Sequence, residues 1–220
     1  MDSVFVIKDI LTTEQVASIC NNLKQVEFDD GKVTAAGMAK AVKNNQQVMV
    51  DKVPDLMPLL SKVIMANPLF NAVTMPRAIV NVMLSRYQPG MEYGTHTDSA
   101  IMPGGNRADI SFTLFLSSPD AYEGGDLVLE TALGEQRIRL NAGSLILYPT
   151  GELHRVSPVT RGERIVIVGW IQSRIRDSRK RQILLDLDSA RKQYLEKVGH
   201  DRTVDIMLKT SMNLRRMWDE

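Results

Sequence analysis

From about Pro76 onward, the apolar residues of this 220-residue chain recur with a period of two. Ile110, Phe112, Leu114 and Leu116 alternate with Ser111, Thr113, Phe115 and Ser117. Successive side chains of extended backbone point to opposite faces, so the pattern specifies strands with one face turned to a core. Comparable segments lie near 77–87, 91–98, 109–118, 126–130, 135–140, 143–148, 154–159 and 164–172. Turn residues such as Glu123-Gly124-Gly125-Asp126 and Arg161-Gly162-Glu163 separate them. Short strands at such regular spacing predict an antiparallel sandwich or jelly roll.

Helical periodicity flanks this region on both sides. Thr12 and Gln15 can form the two ends of a capping box, after which Val16, Ile19, Leu23 and Val26 follow at helical spacing. A second apolar face runs through Leu56, Leu59, Leu60, Val63 and Ile64. Between the two lie a turn at Asp29-Asp30-Gly31 and the polar stretch Lys43 to Gln47, readable as a mobile lid or as a plain polar loop. After Asp177 one stripe passes through Ile183, Leu187, Ala190 and Tyr194, and another through Val204, Met207, Ser211, Leu214 and Trp218. The expected class is α+β: an N-terminal helical region (1–75), a jelly-roll core (76–176) and a C-terminal helical module (177–220).

Composition narrows the functional classes. The chain is 44% hydrophobic and 24% charged with a formal net charge of +1, ordinary values for a soluble globular protein. Its single cysteine, Cys20, excludes an internal disulfide and a Cys-rich zinc module, and reads as a small core residue. Residues 1–15 lack the basic start and long apolar stretch of a secretory signal, and the apolar run Ile165 to Ile171 is too short to span a membrane. A cytoplasmic protein is expected. The basic cluster Arg174 to Arg181 has no interleaved aromatics, so a solvated helix start is favoured over a nucleic-acid contact. The two tail stripes could pack as a homodimer.

Only three histidines occur, which makes their placement informative. His96 and Asp98 flank Thr97 and would point the same way from an extended segment. His154 begins another expected strand and could close a two-histidine, one-carboxylate face if that strand is a neighbour. Such a triad leaves half of an octahedral iron(II) open, the arrangement of non-haem oxygenases. The rival reading of His96 and Asp98 is a hydrogen-bonded surface pair. His200, in the polar turn Gly199-His200-Asp201, reads as a surface histidine.

Arg164 opens the strand RIVIVGW and shares a face with Val166, Val168 and Trp170. A guanidinium on so apolar a face needs an anion, and its planar fork suits a carboxylate. If iron chelates one end of a small dicarboxylate such as 2-oxoglutarate, Arg164 would hold the other. The alternative is a strand-end ion pair with Glu163 or Glu152.

RYQPGMEYGTHTDSAIM, RADISFTLFLSSPDAYEGGDLVL and LILYPTGELHRVSPVTRGERIVIVGWIQS, in that order, resemble the bacterial PKHD-type hydroxylases. These are iron(II)/2-oxoglutarate oxygenases related to the prolyl and lysyl hydroxylase domain. The early DGKVTAAGMAKAVKNNQQ and the tail IQSRIRDSRKRQILLDLD are also similar, so the likeness covers nearly the whole chain. It implies a double-stranded β-helix, iron ligands at His96, Asp98 and His154, 2-oxoglutarate on Arg164, and ascorbate as reductant. Tyr87 resembles a tyrosine that helps hold 2-oxoglutarate, with a core aromatic as the rival reading; Tyr148 reads as packing. The expected activity is hydroxylation of a C–H bond, with a peptidyl substrate suggested by the likeness. The competing readings are a cupin-like metalloenzyme working without 2-oxoglutarate, and a non-catalytic assembly module.

Overall fold

The segment Ile110–Phe115 lies well inside a seven-stranded antiparallel sheet. Its order is β1 (Phe5–Ile7), β11 (Leu145–Pro149), β7 (Ile110–Phe115), β14 (Arg164–Ser173), β5 (Pro76–Tyr87), β4 (Gln46–Met49) and β2 (Asp29–Asp30), with labels following chain order. A five-stranded sheet faces it, in the order β10 (Gly134–Ile138), β9 (Leu127–Thr131), β12 (His154–Val156), β6 (Glu92–His96) and β3 (Lys43–Asn44). A short ribbon pairs β13 (Val159–Gly162) with β8 (Tyr122–Gly124). This computed structural model describes residues 4–35 and 37–220. The architecture is the expected α+β jelly roll.

Every residue of β7 is buried, the polar alternates included. Ile110, Phe112 and Leu114 face the helices and join the main core with Leu84, Ile167 and Ile171. Ser111 and Thr113 turn inward to the space between the sheets. The polar half of the alternation therefore marks a cavity wall and not a solvated face.

The helices lie where periodicity put them. α1 (Thr13–Leu23) is capped by Thr12: its hydroxyl accepts the Gln15 N–H at 3.2 Å, while the Gln15 side chain accepts the Thr12 N–H at 2.8 Å. Val16, Ile19 and Leu23 of α1, with Leu56, Leu60 and Ile64 of α3 (Leu56–Ala66), complete the main core. Short α2 (Gly37–Ala41) and α4 (Pro68–Thr74) gave no sequence signal, being too brief for a periodic stripe. Cys20 is half-buried and packs against the main core.

The region before residue 75 is more than helical, because it adds β1–β4 to both sheets. Strands of two to four residues are too short for a period to show. Lys43 to Gln47 is neither lid nor loop: β3 pairs with β6, β4 pairs with β5, and Lys43, Asn45 and Gln47 are buried.

α5 (Ser178–Val198) and α6 (Arg202–Trp218) form a hairpin. Asp188 ties it by accepting from Ser211 Oγ at 2.8 Å and from Arg215 Nη2 at 2.7 Å. Val204 and Ser211 are buried as the α6 stripe requires. On α5 the expected stripe holds in part: Leu187 and Tyr194 are half-buried, but Ile183 and Ala190 are exposed and it is Leu184 that is fully buried, against Met75 and Ile175. Arg181, one turn before Leu184, is also buried and donates to the carbonyls of Ile175 and Arg176. His200 is an exposed partner of Asp205, as expected of a surface histidine. Among the described residues no single helix is long and apolar enough to cross a membrane.

Candidate metal centre

β6 and β12 are antiparallel neighbours whose register sets His154 directly opposite His96. Sequence spacing could not supply this pairing; the sheet does. The imidazole centroids lie 4.3 Å apart, and Asp98, just past the end of β6, closes the third corner. His96 Nε2 is 3.7 Å from Asp98 Oδ1, and His154 Nε2 is 3.7 Å from Asp98 Oδ2. One ligand atom from each of the three lies within 4.8 Å of the others, so the group could hold a metal ion.

The same device orients both imidazoles. His96 Nδ1 lies 2.8 Å from the Gly94 carbonyl and His154 Nδ1 lies 2.9 Å from the Glu152 carbonyl. A carbonyl only accepts, so each Nδ1 carries the proton and each Nε2 offers a lone pair to the centre. Burial, followed by electrostatic coupling to the neighbouring His154, lowers the His96 pKa from 6.5 to about 4, against the opposing pull of the Gly94 carbonyl and Asp98. The ring is thus held in the neutral form that a metal requires. Tyr93 stacks on it at 3.6 Å, and Tyr148 meets His154 edge-on at 5.3 Å.

Asp98 is steered from the facing sheet. Its Oδ2 accepts from Ser111 Oγ and from Trp170 Nε1, each at 2.9 Å. Ser111 also reaches Thr150 Oγ1 at 3.1 Å. Opposite Gly169, β5 carries a bulge at which Asn81 adopts a positive φ of 50° and lines the cavity. A side chain at Gly169 would strike the Phe112 ring at 2.7 Å, so glycine lets the strands close beside Trp170. Ser111 and Trp170 were legible only as strand residues; their aim at Asp98 depends on sheet pairing.

The triad opens into a cavity of about 770 Å³ between the sheets. Arg164 lines it at 1% exposure. Neither sequence candidate for an ion pair is taken up: Glu163 turns to Arg86 and Gln88, and among the described residues Arg164 makes no ion pair. Its Nε is buried with no hydrogen-bond partner. A buried guanidinium in this state strongly favours an incoming anion. Tyr87 is its direct cross-strand partner, with the guanidinium carbon 5.1 Å from the Tyr87 ring and 5.5 Å from that of Phe115. Burial raises the Tyr87 pKa and keeps the phenol protonated. Tyr87 and Tyr148 are both buried and both line the cavity, so each is core aromatic and cavity wall at once.

The donor set passes a chemical test for iron(II) and 2-oxoglutarate. Two imidazoles and one carboxylate leave coordination positions open, and a buried guanidinium with no paired carboxylate among the described residues, in the same cavity, suits a dicarboxylate.

Comparison with known proteins agrees with this chemistry. The sequence model of the 2OG-Fe(II) oxygenase superfamily matches residues 82–172, which span all four residues. A PKHD-type hydroxylase of Synechococcus elongatus is 45% identical over 222 residues, covering 99% of this chain and all of the relative. Another, of Maricaulis maris, is 42% identical over 215 residues, covering 97% and 98%. Among solved structures, a Pseudomonas putida prolyl-4-hydroxylase superposes with a TM-score of 0.58 at 20% identity, over 79% of this chain and 94% of that one. At that identity the likeness establishes the fold.

Proposed function

Because the chain belongs to the PKHD-type hydroxylases of the 2OG-Fe(II) oxygenase superfamily, we propose that its site residues divide the work of a C–H hydroxylase as follows. His96, Asp98 and His154 hold iron(II). Arg164 takes the far carboxylate of 2-oxoglutarate, and Tyr87 flanks that group. Iron bound there supplies the oxygen chemistry that couples conversion of 2-oxoglutarate to succinate and CO2 with substrate hydroxylation. The protein's own part is positional and electrostatic. Carbonyls of Gly94 and Glu152 fix both histidine tautomers, and Ser111 with Trp170 hold Asp98. Leu127, Tyr148 and Val156 line the cavity beside the triad and limit water there.

The single observation that carries this reading is the buried Arg164, its Nε without a hydrogen-bond partner and no carboxylate paired with it among the described residues, in the same cavity as the triad. A cupin-like enzyme without 2-oxoglutarate has no use for it. The shared fold with a prolyl-4-hydroxylase supports a peptidyl substrate. Ascorbate fits as the external reductant that maintains iron(II). The test is anaerobic loading with iron(II) and 2-oxoglutarate followed by oxygen, with succinate measured across candidate peptides and small molecules. Succinate formation that rises with one substrate class and leaves a hydroxylated product supports the reading. No succinate under any condition overturns it.

A further inference from the structure

The cavity holds a second buried cation, and the machinery described above does not use it. Lys43, on β3, is 4% exposed and lines the same cavity as the triad. Its Nζ donates to Thr34 Oγ1 at 2.8 Å and to Gln47 Oε1 at 2.9 Å. Thr34 and Gln47 are also hydrogen-bonded to each other, and Gln47 Nε2 donates to Ser85 Oγ at 2.8 Å. All four side chains line the cavity, and Thr34 is exposed. Among the described residues no carboxylate pairs with Lys43. An ammonium has three donors, so one remains for a ligand.

Its placement gives the inference a direction. Lys43 pairs across the sheet with Tyr93, and its Nζ lies 4.9 Å from the Tyr93 ring centroid. That ring stacks on His96. Tyr93 therefore contacts both the ammonium and a triad histidine. Arg164 belongs to the opposite sheet, beside Tyr87 and Phe115. The cavity thus carries two buried cations on different walls, while a single dicarboxylate chelated through one end presents only one free carboxylate.

We propose that Lys43, supported by Thr34 and Gln47, binds an anionic oxygen group of the hydroxylated substrate, a carboxylate or a phosphate, on the cavity wall that carries Tyr93 and His96. This rests on the assignment of iron to the triad and of 2-oxoglutarate to Arg164. The charge then selects the substrate: a neutral analogue leaves the buried Lys43 ammonium without a counter-ion, which disfavours it against the anionic substrate.

The test loads the full chain with manganese(II), a redox-inert stand-in for iron(II), with and without 2-oxoglutarate. Two probes are titrated separately, inorganic phosphate followed by phosphorus NMR relaxation and carbon-13 acetate followed by carbon relaxation. The wild type should relax at least one probe saturably with 2-oxoglutarate present, and the two arms tell phosphate from carboxylate. Lys43→Met should weaken that binding at least tenfold while its affinity for 2-oxoglutarate stays at the wild-type value. Lys43→Arg keeps the charge and should restore most of the binding, which separates recognition from loss of fold. Three results overturn the proposal: neither probe binds the wild type, Lys43→Met binds as well as the wild type, or the probe and 2-oxoglutarate displace one another. Failure of 2-oxoglutarate to bind the manganese-loaded wild type is a separate result, and it would strike the underlying cosubstrate assignment.

Discussion

Trp170→Phe removes one atom group from the metal centre and keeps the aromatic ring. In the wild type, Trp170 Nε1 donates to Asp98 Oδ2 at 2.9 Å, in a site where the Asp98 side chain is only 10% exposed. A hydrogen bond to a charged group is worth about 1.5–3 kcal/mol. At ~1.4 kcal/mol per decade, that range corresponds to about one to two decades of metal affinity if the bond only aims and stabilises the carboxylate. The loss agrees with the ~10–100-fold typical of residues that orient ligands. Ser111 Oγ donates to the same oxygen, so it can partly compensate, and Ser111→Ala combined with Trp170→Phe should be worse than the product of the single effects. The assay is competition for cobalt(II) or iron(II) against a calibrated chelator, with thermal unfolding of the metal-free proteins as control. Wild-type metal affinity in a folded Trp170→Phe protein would refute the claim that this contact holds Asp98 in place.

Three further outcomes are expected. Since the folded pKa of His96, about 4, lies below its ordinary 6.5, the unfolded chain takes up that proton first. Stability of the metal-free protein should therefore be complete above about pH 6.5 and fall as the pH drops towards 4; urea unfolding should show the slope, and His96→Gln should flatten it. Gly125 sits at φ +64°, where an added Cβ would meet Val159 at 2.9 Å and Arg164 Cδ at 3.1 Å. Gly125→Ala should cost about 1–2 kcal/mol through left-handed backbone alone, and should also raise the 2-oxoglutarate concentration needed for half-maximal succinate formation. Asp188→Ala removes the acceptor shared by Ser211 and Arg215, so α6 should loosen from α5, read as faster amide exchange in residues 202–218 with 2-oxoglutarate binding unchanged.

Much of this site was legible in the sequence because strand chemistry is local. Period two at 110–117 gave the jelly roll, and the i, i+2 spacing of His96 and Asp98 gave two corners of the triad. Arg164 declared itself as a charge on an apolar strand face. Other features depend on pairings between distant segments. Ser111 and Trp170 meet Asp98 only because β7 and β14 are neighbours, with Asp98 held over them. Lys43 was hidden in a polar stretch that reads like a loop, because two-residue strands carry no period and a buried lysine looks like a solvated one. On α5 the buried face includes Arg181, which finds backbone carbonyls as partners, and no hydropathy pattern registers that.

The central claim joins two assignments in one cavity, a metal on His96, Asp98 and His154 and a dicarboxylate on Arg164. Anaerobic titration of 2-oxoglutarate into the iron(II)-loaded wild type, Arg164→Ala and Arg164→Lys proteins, with iron content measured in the same samples, tests both together. Iron should remain bound in all three, because Arg164 is no ligand. The 2-oxoglutarate dissociation constant should rise at least tenfold in Arg164→Ala, from the loss of charge-assisted contacts worth roughly 1.5–3 kcal/mol each. Arg164→Lys should fall between, keeping the charge without the fork. Unchanged 2-oxoglutarate affinity in an iron-loaded Arg164→Ala protein would contradict the account.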